Sequence, residues 1–137
     1  MAVETIKTKV ERGEFEAKDF GIYLMAIKEL AIKDNEVREI LREMPDFVIQ
    51  FSIFGAIDVY LQLKNGNLEV VEGVIENPAI KFEMTDVVAT GIIKNEIDPI
   101  SAYLSGDIKI NGETVLAMKL KPIIEKYNKI LGFKVIT

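Results

Sequence analysis

Hydrophobic positions recur at helical spacing in the first third of the chain. The apolar positions that follow Asp19, a good helix-capping residue type, are Phe20, Tyr23, Leu24, Ile27, Leu30 and Ala31. A second apolar stripe on the other flank consists of Ile22, Met25, Ala26 and Ile32. A helix with two apolar stripes contacts two surfaces, and a homodimer partner is the candidate for the second surface. Asn35 then predicts the cap of a short helix from Glu36 to Met44, which Pro45 ends.

From Phe47 onward the period changes to two, the period of a β-strand. The apolar positions of five predicted strands are Phe47, Ile49, Phe51 and Ile53; Ile57, Val59, Leu61 and Leu63; Leu68 and Val70; Ile80, Phe82 and Met84; and Ile108 and Ile110. Gln50 and Ser52 fall on the polar face of the first strand. The sequence therefore predicts an α+β fold, in which a five-stranded, mainly antiparallel sheet is covered on one face by helices.

The dipeptide Asn65-Gly66 predicts a hairpin between the second and third strands. Both residues of a two-residue type I′ turn need a positive φ, and Asn-Gly meets that need well. This turn would pair Leu63 with Leu68 and Leu61 with Val70, which brings apolar residues together on one face of the sheet.

Composition narrows the function classes. The 137 residues fit a single domain over residues 1–137, and 49% hydrophobic with 28% charged residues are typical of a globular protein. A net charge of −5 argues against binding to a phosphate backbone, so we expect no nucleic-acid partner. No cysteine is present and no apolar run approaches the ~18 residues of a membrane span, so the expectation is a soluble, cytoplasmic protein.

The chain contains few of the residue types that enzymes commonly use for catalysis. The chain contains neither histidine nor cysteine, which removes the usual general base, the thiol nucleophile, imidazole zinc sites and the Ser-His-Asp triad. The acidic residues follow no metal-ligand spacing, and no glycine-rich phosphate loop is present. We therefore predict no enzyme activity, catalytic residue, metal site or cofactor. An enzyme that uses only Asp, Glu, Lys or Tyr remains the alternative.

Residues 85–124 carry the most specific pattern. Asp98, Pro99 and Gly106 have the types that begin and end a short helix. The string IDPISAYLSGDIKINGE, followed by LAMKL and preceded by KNGNLEVVEG and ENPAIKFEM, resembles the sterol carrier protein type-two family. The resemblance is best over residues 47–124, whereas residues 1–46 match only in the position and length of their helices. It implies an apolar cavity between sheet and helices that accepts fatty acids, fatty acyl thioesters or sterols, and hence lipid binding and transfer.

The candidate lining residues of that cavity are apolar residues whose period places them on an inward face. They are Phe82, Met84, Val88, Ile92, Ile100, Tyr103, Leu104, Met118, Ile123 and Ile124. In the alternative interpretation the chain is an interaction or oligomerisation module. Its own Ile and Met side chains would then fill the cavity, and the doubly apolar first helix would form the interface.

Pro122 lies within an otherwise helical apolar stripe near the C-terminus. Proline lacks the N–H group and clashes with the carbonyl of Met118, which predicts a kink or a break. Residues 125–137 would then form a lid or tail over the cavity mouth. The segment from Thr114 to the end holds five lysines and one acid, so this end is predicted to contact anionic membranes during lipid exchange. Alternatively, the lysines complement the helix dipole on an ordinary solvated face.

Overall fold

The computed structural model describes residues 1–133 and confirms the α+β class. The elements in chain order are α1 (Ala2–Glu11), α2 (Phe20–Ile32), α3 (Asn35–Glu43), β1 (Phe47–Phe54), β2 (Ile57–Lys64), β3 (Asn67–Glu72), β4 (Ile80–Thr85), α4 (Asp86–Ile93), α5 (Pro99–Ser105), β5 (Lys109–Gly112) and α6 (Thr114–Leu131). One 3-10 turn, Ala17–Asp19, leads into α2.

The five strands form one sheet in the order β3-β2-β1-β4-β5. Neighbouring strands are antiparallel except β1 and β4, which are parallel, so the predicted mainly antiparallel sheet is confirmed. The hairpin between β2 and β3 has the predicted register, since Leu63 pairs with Leu68. Asn65 and Gly66 have φ values of 52° and 79°, as a type I′ turn requires.

The parallel pairing requires the chain to cross the sheet between β3 and β4. Gln50 and Ser52 have the predicted orientation, but they are buried rather than solvated, and this connection covers Gln50. The Gln50 Nε2 group donates to the carbonyl oxygens of Val59 and Gly73 at 3.2 and 3.1 Å, and its Oε1 accepts from the Ile75 N–H at 2.9 Å. One buried amide therefore fastens the connection to the outer face of the sheet.

The helix after α2 begins one residue earlier than predicted. Asp34, not Asn35, is its N-cap, because the Asp34 Oδ1 atom accepts a hydrogen bond from the Val37 N–H at 3.2 Å. The helix also ends one residue earlier, at Glu43, and Met44 is extended ahead of Pro45.

Helix α6 runs from Thr114 to Leu131 without the break that Pro122 predicts. The Pro122 ring lies on the exposed side of the helix, and Met118, whose carbonyl loses its hydrogen bond, is also exposed, so water can satisfy that carbonyl.

The second half of α6 is fastened to the N-terminal helices. The Asp34 Oδ2 atom accepts from the Lys126 Nζ at 2.7 Å and from the Tyr127 hydroxyl at 3.0 Å. The Tyr23 hydroxyl donates to the side-chain oxygen of Asn128. Residues 125–133 of the expected lid therefore carry several polar anchors, and residues 134–137 of it lie outside the described part of the chain.

Candidate binding cavity

An apolar cavity of about 220 Å³ lies between the helix-covered face of the sheet and helices α4 and α5. Its lining residues are Phe20, Phe51, Ile53, Phe82, Met84, Ala89, Ile92, Ile93, Pro99, Ile108 and Ile110. Strands β1 and β4 supply two residues each, and the segment around β5 supplies two more. Every lining side chain is apolar, so the cavity favours hydrocarbon over any charged group.

Aromatic rings form one wall of this cavity. Phe51 and Phe82 are register partners in the parallel pair of β1 and β4, and their rings stack with centroids 5.4 Å apart and an interplanar angle of 10°. Phe20, at the start of α2, meets Phe51 edge-on at 4.8 Å. These two ring pairs make a rigid surface against which a flexible hydrocarbon chain can pack.

The fully buried residues of the covering helices are small. The buried residues of α4 are Ala89 and Gly91, and the buried residue of α5 is Ala102. Gly91 is closed off by Ile97, whose side chain lies where a Cβ atom would be. Of these three residues only Ala89 lines the cavity, and its small side chain leaves space beneath α4 that the neighbouring Ile92 and Ile93 border but do not fill.

Three of the ten predicted lining residues border the cavity: Phe82, Met84 and Ile92. Val88 is half-buried on α4 outside the lining, Ile123 is part of the packed core, and Ile124 packs partly against it. Sequence reasoning missed Phe20, Phe51, Ile53, Ala89, Ile93, Pro99, Ile108 and Ile110. The period of two places Phe51 and Ile53 on the helix-covered face of the sheet. It does not indicate which part of that face borders a cavity.

The remaining four predicted lining residues, Ile100, Tyr103, Leu104 and Met118, are exposed to solvent. Helix α5 turns its small residue Ala102 inward, so its bulky apolar face points outward. Helix α6 buries the row that includes Leu120 and Ile123, and Met118 lies about 200° around the helix from Leu120. Helical spacing identifies an apolar face on α5, but it does not indicate whether that face points toward the sheet or toward solvent.

The cavity contains no titratable side chain, and the perturbed groups lie elsewhere. Burial raises the pKa of Tyr23, which lies in the packed core. A hydrogen bond from Ser101 holds the pKa of Asp98 below its usual value, consistent with its role as the cap of α5. The arrangement can bind by excluding water, and its lining offers no acid, base or nucleophile.

A larger open groove of about 640 Å³ lies on the other side of α4. Three acids, Glu16, Asp86 and Glu96, line it, and its lysine, Lys18, pairs with Glu16 at 3.1 Å. Residues 1–133 hold no group of three or more side chains suited to a metal ion. This acidic groove is a poor site for an apolar molecule, so the smaller cavity is the better candidate.

In the described part of the chain, no helix combines the length and hydropathy needed to cross a membrane.

Comparison with known proteins finds a family match over most of the chain, in a region that includes ten of the eleven cavity-lining residues. Residues 24–125 match the model of the SCP-2 sterol transfer family. A curated relative, human stomatin-like protein 1, is 32% identical over 66 residues, which are 47% of this chain and 17% of that protein. The chain therefore corresponds to a small part of this relative.

Solved structures share the fold. The sterol carrier protein domain 2 of Helicoverpa armigera superposes with a TM-score of 0.59 at 25% identity, over 88% of this chain and 92% of that chain. Sterol carrier protein 2 from Aedes aegypti, in complex with palmitate, superposes with a TM-score of 0.54 at 21% identity, over 78% of this chain and 94% of that chain.

Proposed function

Because the chain belongs to the SCP-2 sterol transfer family, we propose that it binds lipids reversibly in the cavity between β1, β4, α4 and α5 and carries them without catalysing a reaction. The observation that carries this proposal is an apolar cavity of about 220 Å³ with no charged or polar side chain in its lining. Family membership supports lipid binding or transfer in general. The ligand class and the site are our inference from the geometry.

The cavity volume sets an expectation for the ligand. An apolar cavity of ~150 Å³ in another protein binds benzene, so by proportion a space of this size holds roughly nine carbon atoms. We therefore expect medium-length acyl chains to fit within the cavity. A longer fatty acid, a fatty acyl thioester or a sterol would place only one end in the cavity, with the rest outside. The whole molecule would fit only if α5 moved. A carboxylate would stay at the mouth, because burying an unpaired charge is costly.

Transient contact with anionic membranes through the lysine-rich end is part of the proposal. Lys126 pairs with Asp34 at 2.7 Å, and Lys121 lies 3.9 Å from Glu125, so these two charges are partly neutralised. Lys119 and Lys129 are exposed and are the described lysines best placed to attract anionic headgroups.

Oligomerisation is the second candidate function, and one observation favours it. Ile22, Met25 and Ile32 form an exposed apolar stripe along α2. Light scattering on the purified protein would test this function, since a dimer that Met25→Glu converts to a monomer supports an interface on α2. A lipid-free organic extract from a stable dimer would favour this function over the carrier.

Two substitutions on one helix test the carrier proposal. Ala89 is buried in the cavity wall and Val87 is exposed on the same helix, so Ala89→Phe fills the cavity while Val87→Phe leaves it open. We expect Ala89→Phe to weaken binding of a fluorescent medium-chain fatty acid at least ~10-fold and Val87→Phe to change it less than ~2-fold.

A third variant tests whether misfolding, rather than a filled cavity, causes the weaker binding of Ala89→Phe. Ile92→Ala enlarges the cavity, so the preferred acyl chain should become longer in a competition series of fatty acids. If the unmodified protein binds none of the series, or if Ala89→Phe binds as well as Val87→Phe, the cavity is not the lipid site.

A further inference from the structure

Exposed apolar side chains are concentrated on α5 and on the first turns of α6. Their exposed fractions are 66% for Ile100, 50% for Tyr103, 78% for Leu104, 63% for Val115 and 68% for Met118. We call these five residues the α5–α6 surface. Helix α5 itself, with the sequence PISAYLS, contains no charged residue. Such a density of large exposed apolar residues is typical of a surface that is covered when the protein works.

The α5–α6 surface lies next to the proposed lipid cavity. Pro99, the first residue of α5, lines the cavity, and so do Ile108 and Ile110 just after that helix. Strand β5, at the edge of the sheet, connects α5 to α6 and has only four residues, a length of about 13 Å, so the two helices lie at its two ends. A ligand that leaves past α5 would emerge beside this surface.

The charge around this surface is balanced, unlike that of the whole chain. Residues 98–121 hold three acids and three lysines, whereas the chain carries a net charge of −5. Two of these acids are engaged locally, because Asp98 accepts hydrogen bonds from Ser101 and Asp107 accepts one from Ser105. This part of the molecule can approach a membrane without the repulsion that the acidic remainder would meet.

We propose that the α5–α6 surface docks on a lipid bilayer, with its apolar side chains entering the headgroup region while a lipid passes into or out of the cavity. The inference rests on the proposed carrier function and names the partner of that site. A bilayer accepts separate apolar side chains without the shape complementarity that a protein partner requires. Tyr103 has the amphipathic character favoured at membrane interfaces, and the exposed Lys109 and Lys119 can extend toward headgroup phosphates.

Docking by insertion differs measurably from attraction through lysines. Insertion persists on vesicles of pure phosphatidylcholine and at high salt, whereas binding by Lys119 and Lys129 needs anionic lipid and low salt. A double variant, Ile100→Ser with Leu104→Ser, removes two inserting side chains at positions where no core contact is lost. The matched control is Ile22→Ser with Met25→Ser on α2, which removes two exposed apolar residues elsewhere.

Co-flotation with phosphatidylcholine vesicles tests the proposal. We expect the unmodified protein and the α2 control to float with the vesicles, and the α5 variant to lose at least ~10-fold in partitioning. Equal flotation of the α5 variant and the control would overturn the proposal, and so would the absence of flotation by the unmodified protein. A dimer that the α5 variant alone dissociates would also overturn it, since the surface would then serve a protein contact.

Fatty acid binding without vesicles separates this test from that of the carrier function. The α5 variant should bind a fluorescent medium-chain fatty acid within ~2-fold of the unmodified protein, because neither changed residue lines the cavity. If the unmodified protein floats with vesicles yet binds no fatty acid, the carrier function fails while membrane docking stands.

Discussion

Two ends of the helical layer cover the same sheet with side chains of different size. At one end, α2 buries large residues that include Tyr23, Leu24 and Ile27. At the other end, α4 and α5 bury Ala89, Gly91 and Ala102. The first end is solid, and the second contains a cavity of about 220 Å³. The contrast shows that the cavity lies where the covering helices bury small residues in place of large ones.

The solid end contains a cluster of buried aromatic residues. Phe15, Tyr23 and Phe133 form a cluster of edge-on rings with centroids 5.1 to 6.2 Å apart, and Phe15 and Tyr23 are almost fully buried. The second half of α6 belongs to this end, while its first half carries exposed Val115 and Met118. One helix therefore spans both regions, and its anchored half holds the exposed half in place.

Paired truncations of isoleucine give the largest expected difference between the two ends. Ile27→Ala in the solid end should lower the free energy of unfolding by about 2–5 kcal/mol, because it leaves a cavity among fixed neighbours. Ile92→Ala in the hollow end should cost about 1–2 kcal/mol, because its side chain is only half-buried and already borders empty space. Urea unfolding of both variants provides the measurement. Equal losses would mean that the region under α4 is packed as densely as the region under α2.

A substitution on the outer face of the sheet should give a smaller loss of stability, mainly at the hollow end. Gln50→Leu removes the buried amide that holds the connection between β3 and β4, and we expect a loss of about 1–3 kcal/mol in unfolding free energy. Because this connection leads into β4, which carries Phe82 and Met84, affinity for a fatty acid should fall as well.

Gln62→Leu is the matched control for that change. Gln62 lies on the same outer face of the neighbouring strand but is half-buried, so its replacement should alter stability by less than about 0.5 kcal/mol. A stable Gln50→Leu variant with unchanged ligand affinity would show that the connection does not position the cavity wall.

Turns and helix ends were predictable from the sequence because neighbouring residues determine them. The Asn65-Gly66 turn fixed the hairpin register, and Asp98 with Gly106 fixed both ends of α5. The direction in which α5 turns its bulky face was not predictable, because helical spacing is the same for an inward and an outward face. The burial of Gln50 depends on a connection from a distant part of the chain. The cavity depends on packing between elements, which no periodicity encodes.

The smallest expected effect tests whether the second half of α6 belongs to the solid end. A hydrogen bond from Lys126 holds the pKa of Asp34 below its ordinary value, so this carboxylate stabilises the folded state above about pH 4, and the stabilisation is lost as pH falls through the lowered pKa. Asp34→Asn keeps a helix cap but removes the ion pair, so the melting temperature should fall by roughly 2 °C at neutral pH. On acidification the melting temperature of this variant should fall less than that of the unmodified protein, because the variant has no Asp34 carboxylate to protonate. Lys121→Gln, which removes a looser exposed pair, should leave both values unchanged. If Asp34→Asn instead accelerated ligand exchange at unchanged stability, the second half of α6 would be the moving lid that the sequence predicts, and the boundary between the two regions would lie earlier in the chain.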